Sequence, residues 1–118
     1  MESSYLLKLT AAQQQSLAQH PYISTELLAA AIHEHAAQIG YMLQAYFPKE
    51  KVSNVAVIPG SISVGEAGVA GIQLEFVKEE FNMCSAIDSV IKDKMAISVT
   101  VDSVAGELLL KGESWPEL

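Results

Sequence analysis

The chain contains no arginine. All seven basic residues among its 118 are lysines, against 14 acidic residues, for a net charge of −7. Arginine supplies the planar fork that grips phosphate and guanine edges, so an acidic chain without it is a poor fit to nucleic acid or to an anionic membrane. Acidity of this degree also keeps a protein in solution and repels polyanions. Cysteine is almost absent as well. Cys84 stands alone, which leaves no internal disulfide and fits a reducing compartment, so a cytoplasmic location is expected. Residues 1–10 have neither a basic front nor an apolar run of signal-peptide length. No window approaches about 18 uninterrupted apolar residues, the length a spanning helix needs. The alanine-rich stretch 27–47 is interrupted by His33, Glu34, His35, Gln38 and Gln44, and no membrane contact is expected.

What is present is a change of hydrophobic period. Half of the residues are hydrophobic and 18% are charged, the balance of a folded chain, and the length suits one domain, residues 1–118. Thr10 and Gln13 form a capping box ahead of a short helix over residues 10–19, ended by His20-Pro21. Ser24 is a good N-cap, and Glu26 favours the positive end of the helix that follows. From there Leu28, Ile32, His35/Ala36, Ile39, Leu43 and Tyr46/Phe47 recur in steps of three and four, the stripe of one long helix over about 24–47 closed by Pro48.

After Lys49-Glu50-Lys51 the period shortens to two. Val52–Ile58 reads as a strand, and residues 61–64 as its continuation or as a second strand after Pro59-Gly60. Ile72, Leu74 and Phe76 alternate with Gln73, Glu75 and Val77, and Met95, Ile97, Val99 and Val101 alternate with Ala96, Ser98, Thr100 and Asp102. Between these strands Met83, Ile87, Val90 and Ile91 fall at helical spacing, which predicts a short helix over 85–94, with a long loop as the alternative. Residues 103–106 turn into a hairpin partner at 107–111. The expectation is an α+β fold: N-terminal helices on one face of an antiparallel sheet of four or five strands, with a short helix before the C-terminal hairpin.

No motif carries a catalytic signature. His33-Glu34-His35 offers metal-ligand residue types, but residues two apart point about 200° apart around a helix, whereas a shared ion wants them four apart. His35 lies on the core stripe and His33 on the other side, so no metal is expected. Gly65 to Gly71 resembles a phosphate loop only in its glycine spacing; Glu66 opposes an anion and a strand follows, so a hairpin connection is favoured. Cys84 reads as an inert thiol. Glu75, Glu79, Glu80 and Glu107 read as solvated strand faces, with no spacing that selects an acid–base pair. Trp115 reads as an anchor tying the tail to the core. No cofactor is expected.

Strand parity holds the most useful anomaly. If Ile72, Leu74 and Phe76 face the helices, Val77 and Phe81 face away, while Lys78 and Glu80 take the inward parity. Either a bulge flips the strand near Phe76-Val77, or both faces need cover. Leu109 lies opposite in parity to Leu108 and Leu110, beside the flat surface of Ser98 and Thr100. An outer face carrying Val77, Phe81, Leu109, Ser98 and Thr100 suits packing on another subunit. The element order and acidic balance are loosely compatible with small secretion chaperones and with toxin-neutralising immunity proteins, an analogy of class that no residue motif supports. The leading expectation is a non-catalytic protein-interaction module, acting as a homodimer, whose partner is another protein, itself, or both. The alternative is a small-ligand or enzymatic domain with a pocket between helix and sheet, using His35, Tyr46 and Ile39.

Overall fold

The computed structural model describes residues 1–19, 23–65, 68–82 and 85–116, with the backbone alone described at 81, 82 and 85–89. A strand that the periodicity of the longer segments does not announce comes first: β1, Ser4–Lys8. Tyr5 and Leu7 turn inward and Leu6 outward, the alternation of a strand with one covered face. Helix α1, Ala11–Ala18, begins at the capping box, where Thr10 accepts from the Gln13 N–H at 3.2 Å and Gln13 accepts from the Thr10 N–H at 2.9 Å. His20-Pro21, the expected stop, lies outside the described residues.

The single helix expected over 24–47 is two. Ser24 caps α2, Thr25–Glu34, by accepting from the Leu27 N–H. His35 then leaves the helical region, with φ −108° and ψ 18°, and α3, Ala36–Gln44, starts beyond it. A tertiary bond holds the break: the Tyr5 hydroxyl lies 2.8 Å from His35 Nδ1, drawing the ring toward β1. The stripe itself survives the interruption, because Leu28, Ile32, Ile39, Leu43, Tyr46 and Phe47 are all buried. After Gln44 the chain tightens into turns, with Tyr46 and Phe47 donating to carbonyls three residues back.

Residues 53–64, open in the sequence, separate into β2, Glu50–Val57, and the short β3, Ser63–Val64. Strand β2 carries a bulge. Ser53 pairs with Val77 and Ala56 with Glu75, so Asn54 and Val55 together oppose Phe76, with Asn54 in the left-handed region at φ 54°. That extra residue lets Val52, Val55 and Val57 all pack against the core.

The short helix expected over 85–94 is instead part of β5, Ser85–Asp102, antiparallel to β4, Val69–Asn82. The helical spacing of Val90 and Ile91 gave way to long-range pairing. Both are β-branched residues that suit extended backbone, and they stand opposite Glu79 and Lys78 in a ladder unbroken from Val69↔Thr100 to Glu80↔Ser89. The same ladder removes the bulge considered near Phe76-Val77; the irregularity lies between Glu80 and Asn82. Strand β6, Glu107–Lys111, completes the hairpin. Its turn is held by Asp102, whose carboxylate accepts from Val104 and Ala105 N–H, and by Gly106 at φ 69°, a conformation that favours glycine.

The sheet runs β1-β6-β5-β4-β2, antiparallel throughout, with β3 added on β4. Among the described residues the sheet therefore has five strands in its main path, at the upper end of the four or five expected, with the two-residue β3 as a sixth, and it curls into a half-barrel on which three helices pack. Leu7, Leu108, Leu110, Val99, Ile97, Leu74 and Phe76 meet the buried helical residues in one cluster. Side chains of this size contribute about 1.5–3 kcal/mol each when removed from water.

Candidate functional site

The three residues expected to line a pocket, His35, Tyr46 and Ile39, have different surroundings. Ile39 is fully buried in the core. Tyr46 is buried too, and its hydroxyl accepts from the Ser3 N–H at 2.9 Å and donates to the Glu113 carbonyl at 2.7 Å. Its ring packs edge-on against Trp115, with centroids 4.9 Å apart. His35 is bonded to Tyr5 instead, with the two rings tilted and 5.9 Å apart. Three residues grouped by helical parity thus serve three separate contacts, because the break at His35 and the turn after Gln44 aim them differently. His33 is exposed, on the other side of the helix from the core. No group of three or more His, Cys, Asp or Glu able to hold a metal occurs among the described residues.

Trp115 acts as the tail's anchor. It lies edge-on to Phe47 as well as to Tyr46, its backbone N–H reaches the Met1 carbonyl at 2.8 Å, and its carbonyl accepts from the Met1 ammonium. Next to this aromatic group sits Lys78, which does take the inward parity. Its ammonium is 2.9 Å from Asp93 and 3.9 Å from Glu50. Burial pushes the Asp93 carboxyl up, but the Lys78 hydrogen bond, the Lys94 N–H and the Lys78 charge outweigh it and hold the group below its ordinary value.

Among the described residues no helix covers the outer face of the sheet. Its residues fall into rows set by register. Leu6, Leu109, Thr100 and Val69 stand side by side across β1, β6, β5 and β4. Leu6 is 50% exposed and Val69 47%, so the row is an apolar ridge with Thr100 in its middle. One same-face step along, about 7 Å away, Ser4, Lys111, Ser98, Gly71 and Ser63 form the next row. Here the surface sinks into a depression of about 410 Å³ lined by Gly71, Gln73, Ala96, Ser98 and Lys111 among others. Small side chains make the hollow.

Of the residues assigned to this face from sequence, Leu109, Ser98 and Thr100 lie together at ridge and hollow. Val77 sits half-buried further along, opposite Lys92 and Ser53. The side chain of Phe81 lies outside the described residues, as do Glu66 and Cys84. Glu75 and Glu79 stand at separate positions on the outer face, opposite Lys94 and Val90; Glu80 stands opposite Ser89, and Glu107 opposite Lys8. Sequence reasoning missed Leu6 and Val69. The alternation of Tyr5, Leu7 and Leu9 against Leu6 and Lys8 was the signal for the first, and it spans too few residues to stand out.

No helix among the described residues is long and apolar enough to cross a membrane. Comparison with protein-family models, with curated proteins and with solved structures finds no match to this chain.

Proposed function

We propose that this chain is a cytoplasmic, non-catalytic protein-interaction module that works as a homodimer through the outer face of its sheet. The observation that carries the reading is the adjacency of ridge and hollow. Leu6 and Val69 stand exposed, with Leu109 half-buried in the same row, one same-face step from the small residues Ser98 and Gly71. A two-fold axis lying in the interface plane, parallel to the two rows and midway between them, sets the ridge of each copy into the hollow of the other, the self-complementarity that an isologous interface requires. Apolar residues at the centre with Lys8, Glu107 and Lys111 around them match the usual core and rim of such a contact. The acidic chain has no arginine, which directs the surface toward protein rather than polyanion.

The test is sedimentation equilibrium over a range of concentrations, on the native chain and on Leu6→Glu/Leu109→Glu. A native dimer that becomes a folded monomer in the double variant supports the reading. A native monomer at every concentration, or a dimer indifferent to both substitutions, overturns it.

A further inference from the structure

Strand β5 outlasts one of its neighbours. Its ladder with β4 runs unbroken from Val69↔Thr100 to Glu80↔Ser89, whereas its ladder with β6 ends at Ser98↔Lys111. From Ser85 to Ile97, among the described residues, no strand lies on its second side. One bond fixes where the backbone points along this stretch. The Val101 N–H donates to the Gly68 carbonyl across the β4 ladder, so odd-numbered residues of β5 turn their backbone groups toward β4 and even-numbered residues turn them away. Ala96, Lys94, Lys92 and Val90 therefore aim N–H and C=O at the open edge.

Carboxylates blunt part of that edge. Glu113 accepts from the Ala96 N–H at 3.2 Å, and Asp93 accepts from the Lys94 N–H at 2.7 Å. The blunting ends at Lys94. Beyond it Val90 is 60% exposed on the outer face, and Ile91 is 47% exposed on the inner face, across from Lys78. A layer laid on either face of the sheet covers one of these two residues and leaves the other in water. A strand added alongside covers both, and pairs the free backbone groups as well.

We infer that this edge pairs with the same edge of a second copy, antiparallel, about a two-fold axis normal to the sheet at Ile91. Length argues for that occupant. Ile91 is the middle residue of the open stretch, so each copy covers the other's free edge from end to end and stops where the other's β6 begins. Charge argues for the same register. With the axis at Ile91, the two Ile91 side chains meet and each Lys92 stands opposite Val90 of the second copy. An axis at Lys92 would oppose two lysines, and one at Asp93 two carboxylates, arrangements that destabilise a sheet. The contact does not rest on the outer-face reading. Thr100, in the ridge, lies about 30 Å further along β5, so both contacts form at once, the edge joining one outer-face dimer to the next. With two donors already taken, the edge is the weaker contact and closes at higher concentration.

Cysteine cross-linking of the full chain tests it, with Cys84→Ser as the background and oxidised glutathione as the oxidant. Ile91 and its copy form a non-hydrogen-bonded pair, with Cα atoms about 4.5 Å apart, a span that a disulfide bridges. Ile91→Cys is expected to give disulfide-linked dimer at least about tenfold faster than Val104→Cys, because pairing raises the effective concentration of the thiols. Val104 is 97% exposed at a turn and reports chance collision. Val90→Cys, which stands opposite Lys92, is expected to cross-link no faster than Val104→Cys. Adding Leu6→Glu/Leu109→Glu is expected to leave the Ile91→Cys rate unchanged, which separates failure of the outer-face contact from failure of this one. The inference is overturned by equal rates in Ile91→Cys and Val104→Cys, by faster cross-linking in Val90→Cys, or by loss of the Ile91→Cys product in the Leu6→Glu/Leu109→Glu background.

Discussion

The Lys78 ammonium lies 4.5 Å from the centre of the Phe47 ring, on the face of the sheet where, among the described residues, the buried side chains are apolar. A lysine at inward parity is expensive unless its charge is matched. Here the aromatic face, Asp93 and Glu50 match it together, at the end of the core where the helical layer gives out. Lys78→Ala removes the cation and leaves two carboxylates facing each other, and is expected to destabilise the fold by about 1–2 kcal/mol in urea denaturation. Lys78→Met keeps the packing of the stem and is expected to recover part of that loss. Equal losses in the two variants would show that the charge, and not the packing, carries the whole effect.

The same contact sets a pH dependence. Asp93 is held below its ordinary value, so in the folded protein it stays ionised to lower pH than in the unfolded chain. Its contribution is fully present above the unfolded carboxylate value and is lost as pH falls through the depressed folded value. Because the Asp93 side chain is 39% exposed, solvent screens the effect to below about 1 kcal/mol. Denaturation midpoints measured from neutral pH downward are expected to fall less steeply in Asp93→Asn than in the native chain.

Tyr46→Phe deletes one oxygen that serves two backbone groups, the Ser3 N–H and the Glu113 carbonyl. The expected cost is about 1–3 kcal/mol, with faster amide exchange at Ser3 and at the tail near Trp115. Unchanged exchange there would mean that the tail is held by the aromatic contacts of Trp115 alone.

Gln44→Ala opens the edge of β2. Val52 N–H and Glu50 C=O lose the carboxamide that occupies them, and an unpaired strand edge invites another chain. The expected result is a loss of about 1–2 kcal/mol together with concentration-dependent light scattering absent from the native protein. Gln44→Glu keeps the acceptor for Val52 but not the donor for Glu50, and is expected to fall between the two.

Local chemistry was readable without the fold. The Thr10–Gln13 box, the Ser24 cap, the buried stripe from Leu28 to Phe47 and the alternation from Met95 to Val101 depend on bonds within one turn, or on which side of one element meets the core. Those signals were enough for an α+β architecture with helices on one sheet face. The separate contacts of His35, Tyr46 and Ile39 were not readable in the same way. Shared parity on one helix is not shared aim once the helix breaks, and the break is held by Tyr5, thirty residues away in sequence.

By itself, then, the sequence determined the balance of the chain: acidic, without arginine, half hydrophobic, period 3.6 before residue 48 and period 2 after it. Hydrophobic periodicity acts through the local backbone and needs no distant partner. Only the tertiary structure decided that residues 85–94 extend rather than coil, that Ser4–Lys8 is a strand, and that Leu6 and Val69 join Leu109 in one ridge. Each of those outcomes is a pairing between segments far apart in the chain, where a ladder of backbone hydrogen bonds and cross-strand contacts outweighs the weak preference of the segment alone.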